Sequence, residues 1–237
     1  DRALEAIATA YQELTRYNSD VSWEKPMGKS SITLKKEFKP IPKGVALAIG
    51  CSTFPVWNSV PAIFANIMCG NPVIAKPHPS AILPIAIVVS EIQNALNAAR
   101  ISRKVVQLAI DTSNNPITKK LAENANIKVI DYTGGNEFGN YIESLKGKTI
   151  FTEKSAINSV ILDSVNELPA VIDNLAFAAV LYSGQMCTSP QNIFISEKGV
   201  KTKERVVGYS EVIEIFLQSV KQIIENPKIG PGTLASI

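Results

Sequence analysis

The feature that most restricts the fold is a pair of short, uninterrupted apolar runs, Gly44 to Gly50 (GVALAIG) and Pro72 to Lys76 (PVIAK), separated by a stretch of helical periodicity. A run of that length without polar alternation suits a strand buried on both faces, and such strands belong to parallel sheets covered by helices. Cys51-Ser52-Thr53-Phe54-Pro55 breaks the first run, Val56 to Cys69 forms the helix, and Gly70-Asn71 ends it. This is β-α-β. The pattern continues with Ser80 placed to cap a helix over Ala81 to Ala99, a third strand over Val105 to Ile110 and a short helix over Pro116 to Glu123. A fourth strand, Ile127 to Ile130, leads to Gly134-Gly135-Asn136, which opens a helix through Ile142. The alternation predicts an α/β fold: a Rossmann-like parallel sheet with helices on both faces, which binds ligands at the carboxyl ends of its strands.

Flanking segments are simpler. Ala3 to Tyr17 carries Leu4, Ile7, Ala8, Tyr11 and Leu14 at helical spacing. Asn18 to Pro42 is polar, holds three prolines, and includes the alternating Ser31 to Leu34, as an exposed strand in an arm or a surface loop would. Beyond the run Thr149 to Thr152, the pattern predicts a strand at Ser159 to Leu162, an apolar helix at Glu167 to Tyr182, a strand at Asn192 to Ile195 and an amphipathic helix at Tyr209 to Ile224.

Composition excludes several classes. The formal charge of +3 is spread along the chain in short lysine clusters, which solvated faces explain without nucleic acid. Three widely spaced cysteines (Cys51, Cys69, Cys187) and a single His78 make neither a disulfide framework nor a metal site, and they fit a reducing cytoplasm. No apolar run reaches membrane-spanning length. The chain opens without Met and closes at Thr233-Leu234-Ala235-Ser236-Ile237 without an obvious terminator, as a part of a longer protein would.

Four places carry chemistry. Cys187 lies between a Ser-Gly-Gln turn and a Thr-Ser-Pro turn directly before a strand, a better setting for a nucleophile than for a core residue. Lys76 ends a buried strand, where its ammonium could donate to a ribose hydroxyl or a phosphate or simply point to solvent. Gly134-Gly135 offers a helix N-terminus open to a phosphate, or only a tight turn. Glu153 follows an apolar strand as either a solvated end or a base beside a pocket.

Taken together, these pieces resemble the aldehyde dehydrogenase family from about Ser31 onward. Gly184-Gln185-Met186-Cys187-Thr188 is similar to the family's G-Q-x-C motif. Asp131-Tyr132-Thr133-Gly134-Gly135-Asn136-Glu137-Phe138-Gly139 resembles its F-T-G-S-x-x-x-G turn, and Gly70-Asn71-Pro72-Val73-Ile74-Ala75-Lys76-Pro77 its lysine-bearing segment. The interval from Glu153 to Cys187 also agrees. The resemblance implies oxidation of a small-molecule aldehyde, with Cys187 as nucleophile, Glu153 as base and Thr53 as an oxyanion donor in place of the usual asparagine. It implies NAD or NADP held by Lys76, His78, Ser80, Gly134, Gly135 and Ser52, and no metal. Asn58 falls within the helix by this register, so Thr53 is preferred. Pro79 stands where NAD-preferring members often carry a glutamate, which with His78 and Lys76 leans the reading towards NADP. The surroundings of Glu153 (Glu153-Lys154-Ser155-Ala156-Ile157) depart from the family's E-L-G-G-K. The S-T-F-P, F-T-E-K and G-Q-M-C-T segments are most similar to the branch associated with phenylacetate breakdown.

The implied organisation is a dinucleotide-binding domain of residues 1–23 and 43–152, an oligomerisation arm at 24–42, and the first part of a second α/β catalytic domain at 153–237. A homodimer or homotetramer follows from the arm. The competing readings are a CoA-acylating relative, against which Glu153 argues, and a catalytically silent nucleotide-binding homologue.

Overall fold

The computed structural model describes residues 1–233, in two units that divide between Lys154 and Ser155. Leu234 to Ile237 lie outside the described residues. No helix among the described residues is long and apolar enough to cross a membrane.

The first unit opens with helix α1 (Arg2–Leu14) and a hairpin of β1 (Asp20–Met27) and β2 (Ser30–Glu37), paired antiparallel over eight residue pairs. Sequence patterning misses β1 because Lys25 and Pro26 interrupt the alternation begun by Val21 and Trp23. β1 is exposed along its whole length, and β2 is exposed except at the half-buried Leu34.

The rest of the unit is β3 (Val45–Ile49), α2 (Pro55–Met68), β4 (Val73–Lys76), α3 (Ile82–Ala98), β5 (Val106–Leu108), α4 (Thr118–Glu123), β6 (Ile127–Gly134), α5 (Asn136–Ser144) and β7 (Thr149–Lys154). The five strands form one parallel sheet in the order β5-β4-β3-β6-β7. The chain winds outward in one direction from β3 through β4 to β5, then returns to β6 on the other side of β3. That reversal puts a crevice between the carboxyl ends of β3 and β6, the place where open α/β sheets bind ligands.

Alternation along β3 divides the core. Ala46 and Ala48 face Ile63 of α2 and Ile85 of α3, while Leu47 and Ile49 face Ala122 of α4 and Ile142 of α5. An irregularity in β6, where Val45 pairs with Ile127 and Ala46 with Val129, puts Ile127, Ile130 and Tyr132 in one cluster. Val129 joins the other cluster. Ser80 does not cap α3. The helix starts after Ala81 without a side-chain cap, and the Ser80 backbone N–H donates to His78 Nδ1 at 3.2 Å, a local turn that competes with capping.

In the second unit β8 (Ser159–Leu162), α6 (Leu168–Val180) and β9 (Asn192–Ile195) make a parallel β-α-β element. Two-residue strands β10 (Val200–Lys201) and β11 (Val206–Val207) pair antiparallel before α7 (Tyr209–Glu225). Leu162, Leu168, Ile172, Val200, Val207 and Val212 form its core.

Leu47 is fully buried in the central strand. Leu47→Ala is expected to lower stability by about 2–5 kcal/mol in urea unfolding, since a residue walled by a sheet and two helices cannot let its cavity collapse. A loss below about 1 kcal/mol would contradict that packing.

Candidate active site

A cavity of about 580 Å³ opens at the strand ends of the first unit, lined by Ser52, Lys76, His78, Asp111, Gly134 and Gly135 among others. β4 delivers Lys76 to its floor, where the side chain is 3% exposed, and the turn into Pro77 lets the ammonium donate to the Pro77 carbonyl at 2.7 Å. Asp111, from the loop after β5, meets it at 2.6 Å with its own side chain 2% exposed. The remaining carboxylate oxygen accepts from the Ile117 backbone N–H at 2.9 Å and the Thr118 hydroxyl at 3.4 Å. Burial pushes the Asp111 carboxyl up, but Lys76, the Ile117 N–H and the Thr118 hydroxyl outweigh it and hold the group below the usual carboxylate range. Sequence reading misses Asp111 because the pair spans two strands and an intervening helix.

The twin glycines differ in role. A Cβ at Gly134 would collide with the Tyr132 hydroxyl, whereas nothing lies within 4 Å of a Cβ at Gly135. Gly134 therefore serves ring packing, and open space lies in front of Gly135 at the start of α5. Ser80 lies outside the cavity lining, whereas Ser52, Lys76, His78, Gly134 and Gly135 are part of it.

Thr53 lies elsewhere, lining an apolar cavity with Ala3, Phe54, Val56 and Trp57. Its hydroxyl lies 3.6 Å from Cys51 Sγ, which is 3.7 Å from Asn58 Oδ1. Asn58 stands in the first turn of α2, and its Nδ2 donates to Glu153 at 3.0 Å. Its helical position, taken from sequence as a reason to discount it, is what aims it at the sheet end. Glu153 pairs with Thr133 across β6 and β7, so Asp131, two residues back from Thr133, shares its face of the sheet. The Asp131 carboxyl is pushed up to about 6, by burial first and the charge of Glu153 second.

In the second unit Cys187 is exposed. Tyr182, Ser183 and Gly184 precede it with φ of 51°, 59° and 67°, three successive left-handed residues of which only glycine takes that conformation readily. Asn158 braces the turn. Its Nδ2 donates to the Cys187 carbonyl at 2.5 Å and the Ser189 carbonyl at 3.1 Å, and its own carbonyl accepts from the Gln191 and Asn192 N–H groups. Nothing in the sequence marks Asn158 for this task.

A sequence profile described as the aldehyde dehydrogenase family matches residues 1–230. The chain belongs to that family. It is 29% identical over 202 residues to the lactaldehyde dehydrogenase of Methanococcus maripaludis, covering 84% of this chain and 42% of that protein. To a putative aldehyde dehydrogenase family 7 member A1 homolog of Caenorhabditis elegans it is 26% identical over 181 residues, 73% of this chain and 32% of that protein. Among solved structures, the NAD-dependent aldehyde dehydrogenase from Burkholderia multivorans matches with a TM-score of 0.90 and 38% identity, covering all of this chain and 43% of that one. The glyceraldehyde-3-phosphate dehydrogenase GapN from Methanocaldococcus jannaschii, complexed with NADP, shares the fold at a TM-score of 0.70 and 21% identity, over 93% of this chain and 45% of that one. The chain thus spans less than half the length of these relatives.

Because the folded state raises the Asp131 pKa from 3.8 to about 6, the group costs nothing below pH 3.8. The cost grows as pH rises towards 6 and is complete above it, on the order of 3 kcal/mol. Relative to Asp131→Asn, the native chain is expected to lose about that much stability between pH 4 and pH 7 in urea unfolding. Glu153→Gln should shrink the loss, and parallel pH profiles would remove the carboxylate pair.

Proposed function

We propose that the chain forms part of an NAD(P)-dependent enzyme that oxidises a small-molecule aldehyde to its carboxylic acid, with Cys187 as the nucleophile. The observation that carries this reading is an exposed cysteine on a strained, externally braced turn in a chain of the aldehyde dehydrogenase family. The Cys187 thiolate adds to the aldehyde carbon, and the thiohemiacetal oxyanion is met by the Cys187 backbone N–H. A nicotinamide dinucleotide, when bound, supplies the hydride acceptor that converts the thiohemiacetal to a thioester. Glu153 takes a proton from water, the hydroxide attacks the thioester carbonyl, and the Cys187 thiolate leaves.

The cavity in the first unit suits a dinucleotide. It presents a fixed ammonium for a ribose hydroxyl, open space before Gly135, and the N–H groups that start α5 for a phosphate. A place in the phenylacetate branch and a cytoplasmic location belong to the same reading, the first on the S-T-F-P and G-Q-M-C-T segments and the second on three free thiols. The hairpin of β1 and β2 supports a homo-oligomer. An exposed two-stranded ribbon is marginal alone and gains stability by pairing with another copy. Removing residues 24–42 is expected to reduce the native mass to that of a monomer in light scattering.

Iodoacetamide labelling read by mass spectrometry tests the nucleophile. Cys187 is expected to react at least about tenfold faster than Cys69, which is also exposed, and NAD or NADP should change that rate. Asn158→Ala should bring the two thiols closer, and equal rates unaffected by nucleotide would end the enzyme reading. After acetylation of Cys187 by an activated ester, Glu153→Gln should slow loss of the acetyl group by at least about tenfold. Unchanged hydrolysis would remove Glu153 from water activation.

A further inference from the structure

The buried pair at the cavity floor bears on a question that the sequence leaves tilted the other way. Pro79, His78 and Lys76 suggest a corner stripped of carboxylate and supplied with cations. In the structure, a carboxylate is present at that corner. Asp111 reaches Lys76 from the loop after β5, at 2.6 Å, with both side chains at most 3% exposed.

Two charges so placed are not screened by water, so a group approaching from the cavity meets them as one neutral unit. Pro77 and Asp111 engage at most two of the three ammonium hydrogens, so Lys76 still offers a donor but no net charge. The other basic groups of the lining, His78 and Lys119, are exposed, where water screens their charge. His78 Nδ1 accepts from the Ser80 N–H, and Lys119 lies 4.0 Å from Glu123 and over the Tyr141 ring. Asp111 cannot swing away to release Lys76, because Ile117 and Thr118 hold its second oxygen.

Building on the dinucleotide reading of this cavity, we propose that Asp111 determines cofactor choice. By neutralising Lys76, it leaves a corner that donates a hydrogen bond to a ribose hydroxyl and offers a 2′-phosphate no unpaired buried cation, so the chain prefers NAD to NADP. Asp111 acts through Lys76 and is a positioning residue.

Calorimetric titration of the 237-residue chain with ADP-ribose and with 2′-phospho-ADP-ribose tests this without requiring turnover. The native chain is expected to bind ADP-ribose at least about tenfold more tightly, as expected when a phosphate is desolvated without a partner. Asp111→Asn frees the Lys76 charge and should bring the two affinities within about threefold by strengthening the phosphorylated probe. Asp111→Ser gives a second route to the same end, and thermal melts verify that each variant is folded. A merely structural role would weaken both probes alike and leave their ratio unchanged, which overturns the proposal. Equal or tighter binding of the phosphorylated probe by the native chain overturns it whatever the variants do. Binding of neither probe would instead reject the dinucleotide cavity, and this proposal with it.

Discussion

The arrangement of the first unit turns on the contact between Lys76 and Asp111. Taking two charges out of water costs several kcal/mol per ion, and an apolar pair of similar volume would join the same strand ends without that cost. Stability therefore does not account for the pair. It instead holds an ammonium in one place at the mouth of a parallel sheet. Pro77 follows Lys76 directly and turns its carbonyl back to the ammonium, while Asp111 is held by the first residues leading into α4. Because the sheet order reverses at β3, the loops after β3, β4, β5 and β6 all converge on the crevice that this pair floors.

The fold was legible to the extent that burial leaves a local trace. Apolar runs in β3 and β4 gave away a covered sheet because both faces of those strands pack on helices, and β8 and β9 were readable for their β-prone residues. β10 and β11 carry too few residues to show a period. The site was legible residue by residue but not as a network. Lys76 could be named from its strand, but Asp111 could not, since its role exists only once β4 and β5 lie side by side. Asn58 also needs the assembled sheet to be placed. Its helical position is legible in the sequence, but that the first turn of α2 aims its side chain at Glu153 is not.

Asp131 and Glu153 illustrate how register creates electrostatics. Neighbouring parallel strands place residues two apart on one face, so a carboxylate on β6 and another on β7 stand together without any sequence motif linking them. Burial first, and the charge of Glu153 second, raise the Asp131 carboxyl. Asn58 donates to Glu153 at 3.0 Å, which ties that side chain to the first turn of α2. The result is an Asp131 carboxyl pushed up to about 6 beside the side chain of an acidic residue on the neighbouring strand.

Exposure alone does not set Cys187 apart, since Cys69 is exposed too. Their backbones differ. The Cys69 N–H closes α2 on the Ala65 carbonyl, so the thiol rides on a relaxed helix end. Cys187 follows two non-glycine residues in the left-handed region, each costing about 1–3 kcal/mol, and such a conformation persists only where its surroundings over-determine it. Asn158 supplies part of that determination by joining the carbonyls on both sides of Thr188 to the start of β8. A turn that merely linked α6 to β9 could relax into cheaper conformations. One that keeps the strain and is held by a half-buried amide fixes where a sulfur and its own N–H point.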